Sequence, residues 1–167
     1  MTQTTVPAAK VDTGVLPVLN HLDFVCRIAL PGELTSGELS IIEERGRLGC
    51  MTPRHIHERE SETFLVLDGA LEGWCEGEFQ TVEEGNLIHL PAGREHAFRV
   101  LSQSARFYTL ISPAGFESFF RETGEVLTQS FDDELPTPQP VSPEEAERLS
   151  RVLAPLGCTI TGPPPFV

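Results

Sequence analysis

GCMTPRHIHERESETFLVLDG, residues 49–69, followed at a distance by GNLIHLPAGREH, residues 85–96, is the part of the chain whose reading decides the fold. His55 and His57 stand two apart, so on an extended strand both imidazoles project from one face. A short turn from Glu58 to Ser61 returns Glu62 to that side, and a later strand brings His96. Three imidazole nitrogens and a carboxylate suit first-row divalent metals and leave room for exchangeable water, so such a site is open to chemistry.

Short β-rich runs surround these stretches: Asp23 to Leu30, Glu38 to Glu44, Glu62 to Leu67, Leu71 to Cys75, Phe79 to Val82, Asn86 to Leu90, Ala97 to Leu101 and Arg106 to Ile111. Glycine- or proline-bearing turns separate them, among them Pro31-Gly32, Asp68-Gly69, Glu76-Gly77 and Pro91-Ala92-Gly93. Many short strands with regular turns predict an all-β sandwich or barrel. After Pro113 the pattern changes. Phe116, Phe119 and Phe120 at helical spacing predict a short helix, its rings assigned to core packing. The acid- and proline-bearing stretch from Phe131 to Pro140 reads as a linker. Ser142-Pro-Glu-Glu145 reads as a capping box opening a helix to about Leu156, which Gly157 ends.

The spacing of the two quoted stretches resembles the cupin superfamily. Gly49, His55, His57, Glu62 and Gly69 fill every defined position of its first motif. Gly85, Pro91, Gly93 and His96 fill the second until Val100 stands where the pattern has asparagine, a position that is not a ligand. The run from Ile111 to Gly124, the proline-rich link and the terminal helix are similar to the tail of single-domain cupins of the quercetin dioxygenase-like group. The resemblance implies a double-stranded β-helix, or jelly-roll barrel, with short C-terminal helices. On that basis residues 1–20 form an N-terminal arm, 21–113 the barrel and 114–167 a helical extension packed on it.

For the site, the resemblance implies one divalent transition metal ion (Fe, Mn, Ni, Co, Cu or Zn) held by His55, His57, Glu62 and His96. Glu62 either ligates or serves as the catalytic base. Phe64 and Phe98 lie two residues after Glu62 and His96, so strand alternation sends them inward as substrate-pocket walls. The function implied is a dioxygenase acting on a small enolic or phenolic, flavonol-like substrate. A metal-dependent isomerase, lyase or decarboxylase is the alternative, as is a non-catalytic small-molecule-binding cupin. Glu58 and Glu60 read as a solvated turn, Arg54, Arg94 and Arg99 as partners of surface acids, and His89 as outside the ligand set.

With 167 residues, 40% of them hydrophobic, the chain is sized for one core. Its 25 acidic against 12 basic residues, a formal charge of -13, oppose binding to nucleic acid or anionic membranes. No apolar run of roughly 18 residues appears, and Met1 to Lys10 lacks the features of a secretory signal, so a cytoplasmic protein is expected. Cys26, Cys50, Cys75 and Cys158 are widely spaced and read as free thiols, with only adjacency to Gly49 to suggest a role for Cys50. Edge-strand pairing, common in cupins, implies a homodimer.

Overall fold

Period-two burial governs the long strands. Along Ser61–Asp68 the side chains of Glu62, Phe64 and Val66 are buried, and Ser104–Ser112 repeats the pattern with Ala105, Phe107, Thr109 and Ile111. A computed structural model describes residue 8 and residues 10–166. In chain order the elements are β1 (Val18–His21), β2 (Phe24–Leu30), β3 (Ser40–Arg47), β4 (Arg54–His57), β5 (Ser61–Asp68), β6 (Ala70–Cys75), β7 (Glu78–Glu83), β8 (Leu87–Leu90), β9 (His96–Val100), β10 (Ser104–Ser112), α1 (Glu117–Thr123), β11 (Glu125–Leu127), α2 (Pro143–Leu153) and β12 (Cys158–Gly162).

The strands form two antiparallel sheets, one in the order β11-β1-β2-β3-β10-β5-β8 and the other in the order β12-β4-β9-β6-β7. This is the all-β jelly roll with few short helices. Its inward residues fill two clusters. Phe24, Phe64, Phe98 and Phe107 pack at one end of the barrel; Phe116, Phe119, Phe120, Leu149 and Leu153 close the other. Each buried ring contributes on the order of 2–3 kcal/mol.

Backbone geometry explains the motif glycines. Gly69 has φ of 80°, and a Cβ there would lie 2.2 Å from the Ser104 carbonyl oxygen. Gly93, φ 76°, donates its N–H to the His57 carbonyl at 2.7 Å, tying the second motif to the strand that carries two histidines.

The chain ends hold more strand than the sequence suggested. Of the arm expected over residues 1–20, residues 1–7 and 9 lie outside the described residues, and Val18 onward is β1. The segment after Pro113 is not helical alone: β11 pairs with β1, and β12 pairs with β4. Nor is the linker loose. Phe131 is 3% exposed, with the guanidiniums of Arg27, Arg106 and Arg45 at 4.1, 5.5 and 5.8 Å from its ring centroid. Only half of the expected capping box forms at α2. Ser142 Oγ accepts from the Glu145 N–H at 3.1 Å, while the Glu145 carboxylate turns to Arg148 at 2.7 and 2.8 Å, a charge-assisted contact stronger than a neutral backbone one. The helix ends at Leu153; a single 3-10 turn, Ala154–Leu156, carries it to Gly157 with φ 70°.

Candidate metal centre

Both sheets contribute to the site. His55 and His57 share one face of β4; His96 opens β9 directly opposite His55; Glu62 comes from β5 in the facing sheet. One donor atom from each of the four lies within 4.8 Å of all the others. His57, Glu62 and His96 are buried at 1%, 5% and 0% exposure, and His55 is partly exposed.

Hydrogen bonds prepare these rings for a cation. His55 Nδ1 lies 2.9 Å from the Pro53 carbonyl and His96 Nδ1 2.9 Å from the Arg94 carbonyl, each two residues back along the chain. A carbonyl oxygen only accepts, so both rings carry their proton on Nδ1 and present a bare Nε2 to the site. Yet His96 Nε2 faces Glu62 Oε2 at 3.2 Å, and His57 Nε2 faces Glu62 Oε1 at 3.7 Å. Lone pairs face each other there unless a proton or a metal ion lies between them. His57 Nδ1 and Glu60 Oε2, both buried, have no hydrogen-bond partner and stand 4.0 Å apart. The donor set fits a divalent metal.

Electrostatics follow the same geometry. Burial would raise Glu62, but His57 and His96 outweigh it and draw its carboxyl down to about 2. Burial lowers His55 to about 3, helped by His96. His57 is also lowered by burial, against the pull of Glu62. Burial acts on His96 too, but the Glu62 hydrogen bond and charge prevail and leave it raised.

Beside the four donors lies a cavity of ≈ 80 Å³ open to the centres of water-sized molecules, with Phe64, Phe98, Phe116, Phe119 and Phe120 among its walls. Residues 48–111 of this chain match the family described as "Cupin domain". The chain belongs to the cupin superfamily. A relative from Bacillus subtilis (strain 168), quercetin 2,3-dioxygenase, is 30% identical over 103 residues, covering 62% of this chain and 31% of its own. The chain thus spans about a third of that relative's length. Among solved structures, an RmlC-like cupin from Shewanella frigidimarina superposes with a TM-score of 0.56 at 14% identity, covering 68% of this chain and 99% of the other. A protein from Thermotoga maritima described as a predicted oxalate decarboxylase does so with a TM-score of 0.56 at 16% identity, covering 63% and 99%. Both share the fold.

The cupin cavity holds more than its motif residues. Phe116, assigned to core packing from its helical spacing, sets its ring 4.3 Å from that of His57 and walls the site. Cys158 Sγ lies 4.0 Å from His57 Nε2; the run CTIT between Gly157 and Gly162 was the signal for its strand. Burial pushes that thiol well up, so it is un-ionised. His21 and Glu44 also line the cavity. His21 is edge-on to Phe119 and bonded through Nδ1 to Thr123 Oγ1 at 3.0 Å. Glu60, read from the sequence as part of a solvated turn, is 1% exposed and held by Arg59 at 3.1 Å.

Other candidates point elsewhere. His89 is exposed and bonded to Thr63 at 2.8 Å. Arg94 pairs with Glu76 and Arg99 with Glu72, while Arg54 reaches the Pro163 carbonyl and Glu95. All four cysteines are free, and Cys50 turns its Sγ to the Asp23 carbonyl. No helix among the described residues is long and apolar enough to cross a membrane.

Proposed function

We propose that this cupin is a metal-dependent dioxygenase acting on a small enolic or phenolic substrate. The observation that carries this reading is the convergence of His55, His57, Glu62 and His96 at an aromatic-walled cavity. In it, the three histidines hold one divalent transition metal ion through nitrogen, and Glu62 completes the set or takes the substrate's hydroxyl proton. When bound, such an ion supplies Lewis acidity toward a substrate oxygen and, where redox-active, electron transfer. Phe64, Phe98 and Phe116 exclude water and stack against an unsaturated ring. The resemblance to quercetin 2,3-dioxygenase supports the reaction class. The cavity, at ≈ 80 Å³, is small beside the roughly 300–1,000 Å³ of drug-sized sites, which favours a single-ring enol over a full flavonol.

A second reading, non-redox proton transfer as in an isomerase, lyase or decarboxylase, is favoured by one observation: Glu44, an additional buried carboxyl, lines the same cavity. Oxygen uptake separates the two. Protein reconstituted separately with Fe(II), Mn(II), Co(II) and Ni(II) and offered flavonols and single-ring enols is expected to consume oxygen, and His96→Ala to abolish the uptake. Turnover of such a substrate without oxygen consumption would transfer the assignment to the second reading. A homodimer belongs to the same proposal, and sedimentation at the monomer mass alone would remove it.

A further inference from the structure

We propose that Glu44 binds the substrate of this site as an un-ionised carboxylic acid, donating a hydrogen bond from Oε2 to a neutral acceptor oxygen while the substrate's anionic oxygen lies at the metal centre. The proposal rests on the metal reading above and extends it to the substrate's oxygen pattern.

Placement comes first. Glu44 stands opposite Cys26 on β2 and Phe107 on β10, both in the barrel interior. It is 4% exposed and borders the same cavity as His55, His57 and Glu62. Its chain neighbour supplies the contrast. Glu43, on the opposite face of β3, is equally buried and is gripped by Arg27 at 2.7 Å and Arg106 at 2.5 Å. Glu44 has no such cation among the described residues. Its one hydrogen bond comes from the Thr109 hydroxyl, donated to Oε1 at 2.5 Å.

An ionised carboxylate buried without a counter-charge is costly, so Glu44 keeps its proton. Burial, reinforced by the charge of Glu62 and only partly offset by Thr109, raises the group to about 8. With Oε1 already accepting, the proton sits on Oε2, which has no protein acceptor. A lone acid donor in an otherwise aromatic chamber suits a ligand that brings an acceptor. Glu62 beside a divalent ion leaves one net positive charge, which an anionic substrate oxygen cancels; Glu44 then has no cation to ionise against. The substrate class is therefore a small molecule with one enolate or phenolate oxygen and one neutral carbonyl-type oxygen, such as a cyclic hydroxyketone.

Maltol, a single-ring enolic hydroxyketone, is the probe, titrated into protein loaded with redox-silent Zn(II). Wild-type, Glu44→Gln and Glu44→Leu are compared, with bound zinc measured for each. Zinc content is expected to be equal. Maltol affinity should fall about tenfold or more in Glu44→Leu, and stay within about threefold in Glu44→Gln, which keeps a donor. In difference infrared spectra of the wild type, maltol should shift the C=O stretch of a protonated carboxyl, a band missing from Glu44→Gln. Undiminished affinity in Glu44→Leu, no maltol binding by zinc-loaded wild type, or no carboxyl shift would each overturn the proposal. Absence of bound zinc would instead defeat the metal reading on which it stands. If Glu44→Leu does not fold, the infrared comparison with Glu44→Gln decides alone.

Discussion

A buried imidazole whose Nδ1–H is given to a carbonyl has one lone pair left, and its direction is fixed. His55 and His96 are both in that state. Removing either ring takes away a directed donor without disturbing an apolar contact of the core. His55→Ala and His96→Ala are therefore expected to lose stoichiometric metal while keeping the β-rich circular dichroism of the wild type; unchanged metal content in both would refute the assignment. His57 is oriented differently. Its Nδ1 has no carbonyl, only the buried Glu60 carboxylate at 4.0 Å, a separation that closes to a hydrogen bond with a small side-chain movement. Carboxylates behind metal-bound imidazoles typically contribute about 10–100-fold in metal affinity. Glu60→Ala is expected to weaken zinc binding by about that factor in competition with a chelator. Equal affinity would leave Glu60 as a partner of Arg59 and nothing more.

At the scale of elements, turns and caps decide where strands and helices stop. Gly69 needs positive φ and also has the Ser104 carbonyl 2.2 Å from where a Cβ would be, so Gly69→Ala must displace the β5–β6 turn against β10. It should destabilise the fold by more than the ~1 kcal/mol expected of Ser142→Ala, which removes one exposed cap bond from α2. Urea midpoints for the two variants check the order, and a milder Gly69→Ala would show that the turn relaxes freely. What was legible in the sequence follows the same division. Strands such as β5 and β10 could be read because alternation and flanking glycines coincide. The histidines and Glu62 could be read because ligand geometry demands fixed spacing. Strands β1, β11 and β12 could not, since each is three to five residues long and acquires its strand character by pairing with a distant partner. Glu44 and Glu60 were hidden for a different reason. An acid in sequence looks solvated, and only the facing elements reveal that Glu43 has two arginines and Glu44 none.

Across the whole molecule, buried titratable groups pull stability in opposite directions with pH, and one residue controls the alkaline side. In metal-free protein, burial holds folded His21 down to about 4 and His55 to about 3, whereas unfolded they protonate near 6.5. The unfolded chain then binds more protons below 6.5, so these groups add stability as pH rises towards that value. Glu62, drawn down to about 2, is ionised in both states above 4.5 and adds no slope there. Glu44 has the reverse sign: raised to about 8 from 4.5, its contribution is complete below 4.5 and is lost as pH climbs through 8. His96, raised by Glu62 in spite of burial, also loses its contribution above 6.5. Stability should therefore rise to roughly neutral pH and then decline, each proton supplying at most about 1.4 kcal/mol per pH unit. Glu44→Gln has no proton to lose. Its urea midpoints, followed from about pH 6 to about pH 8, should decline less than those of the wild type. Parallel curves would mean that Glu44 ionises alike in both states. The cavity would then hold two carboxylates at neutral pH, and a substrate enolate would meet a second negative charge where the proposed site offers a hydrogen-bond donor.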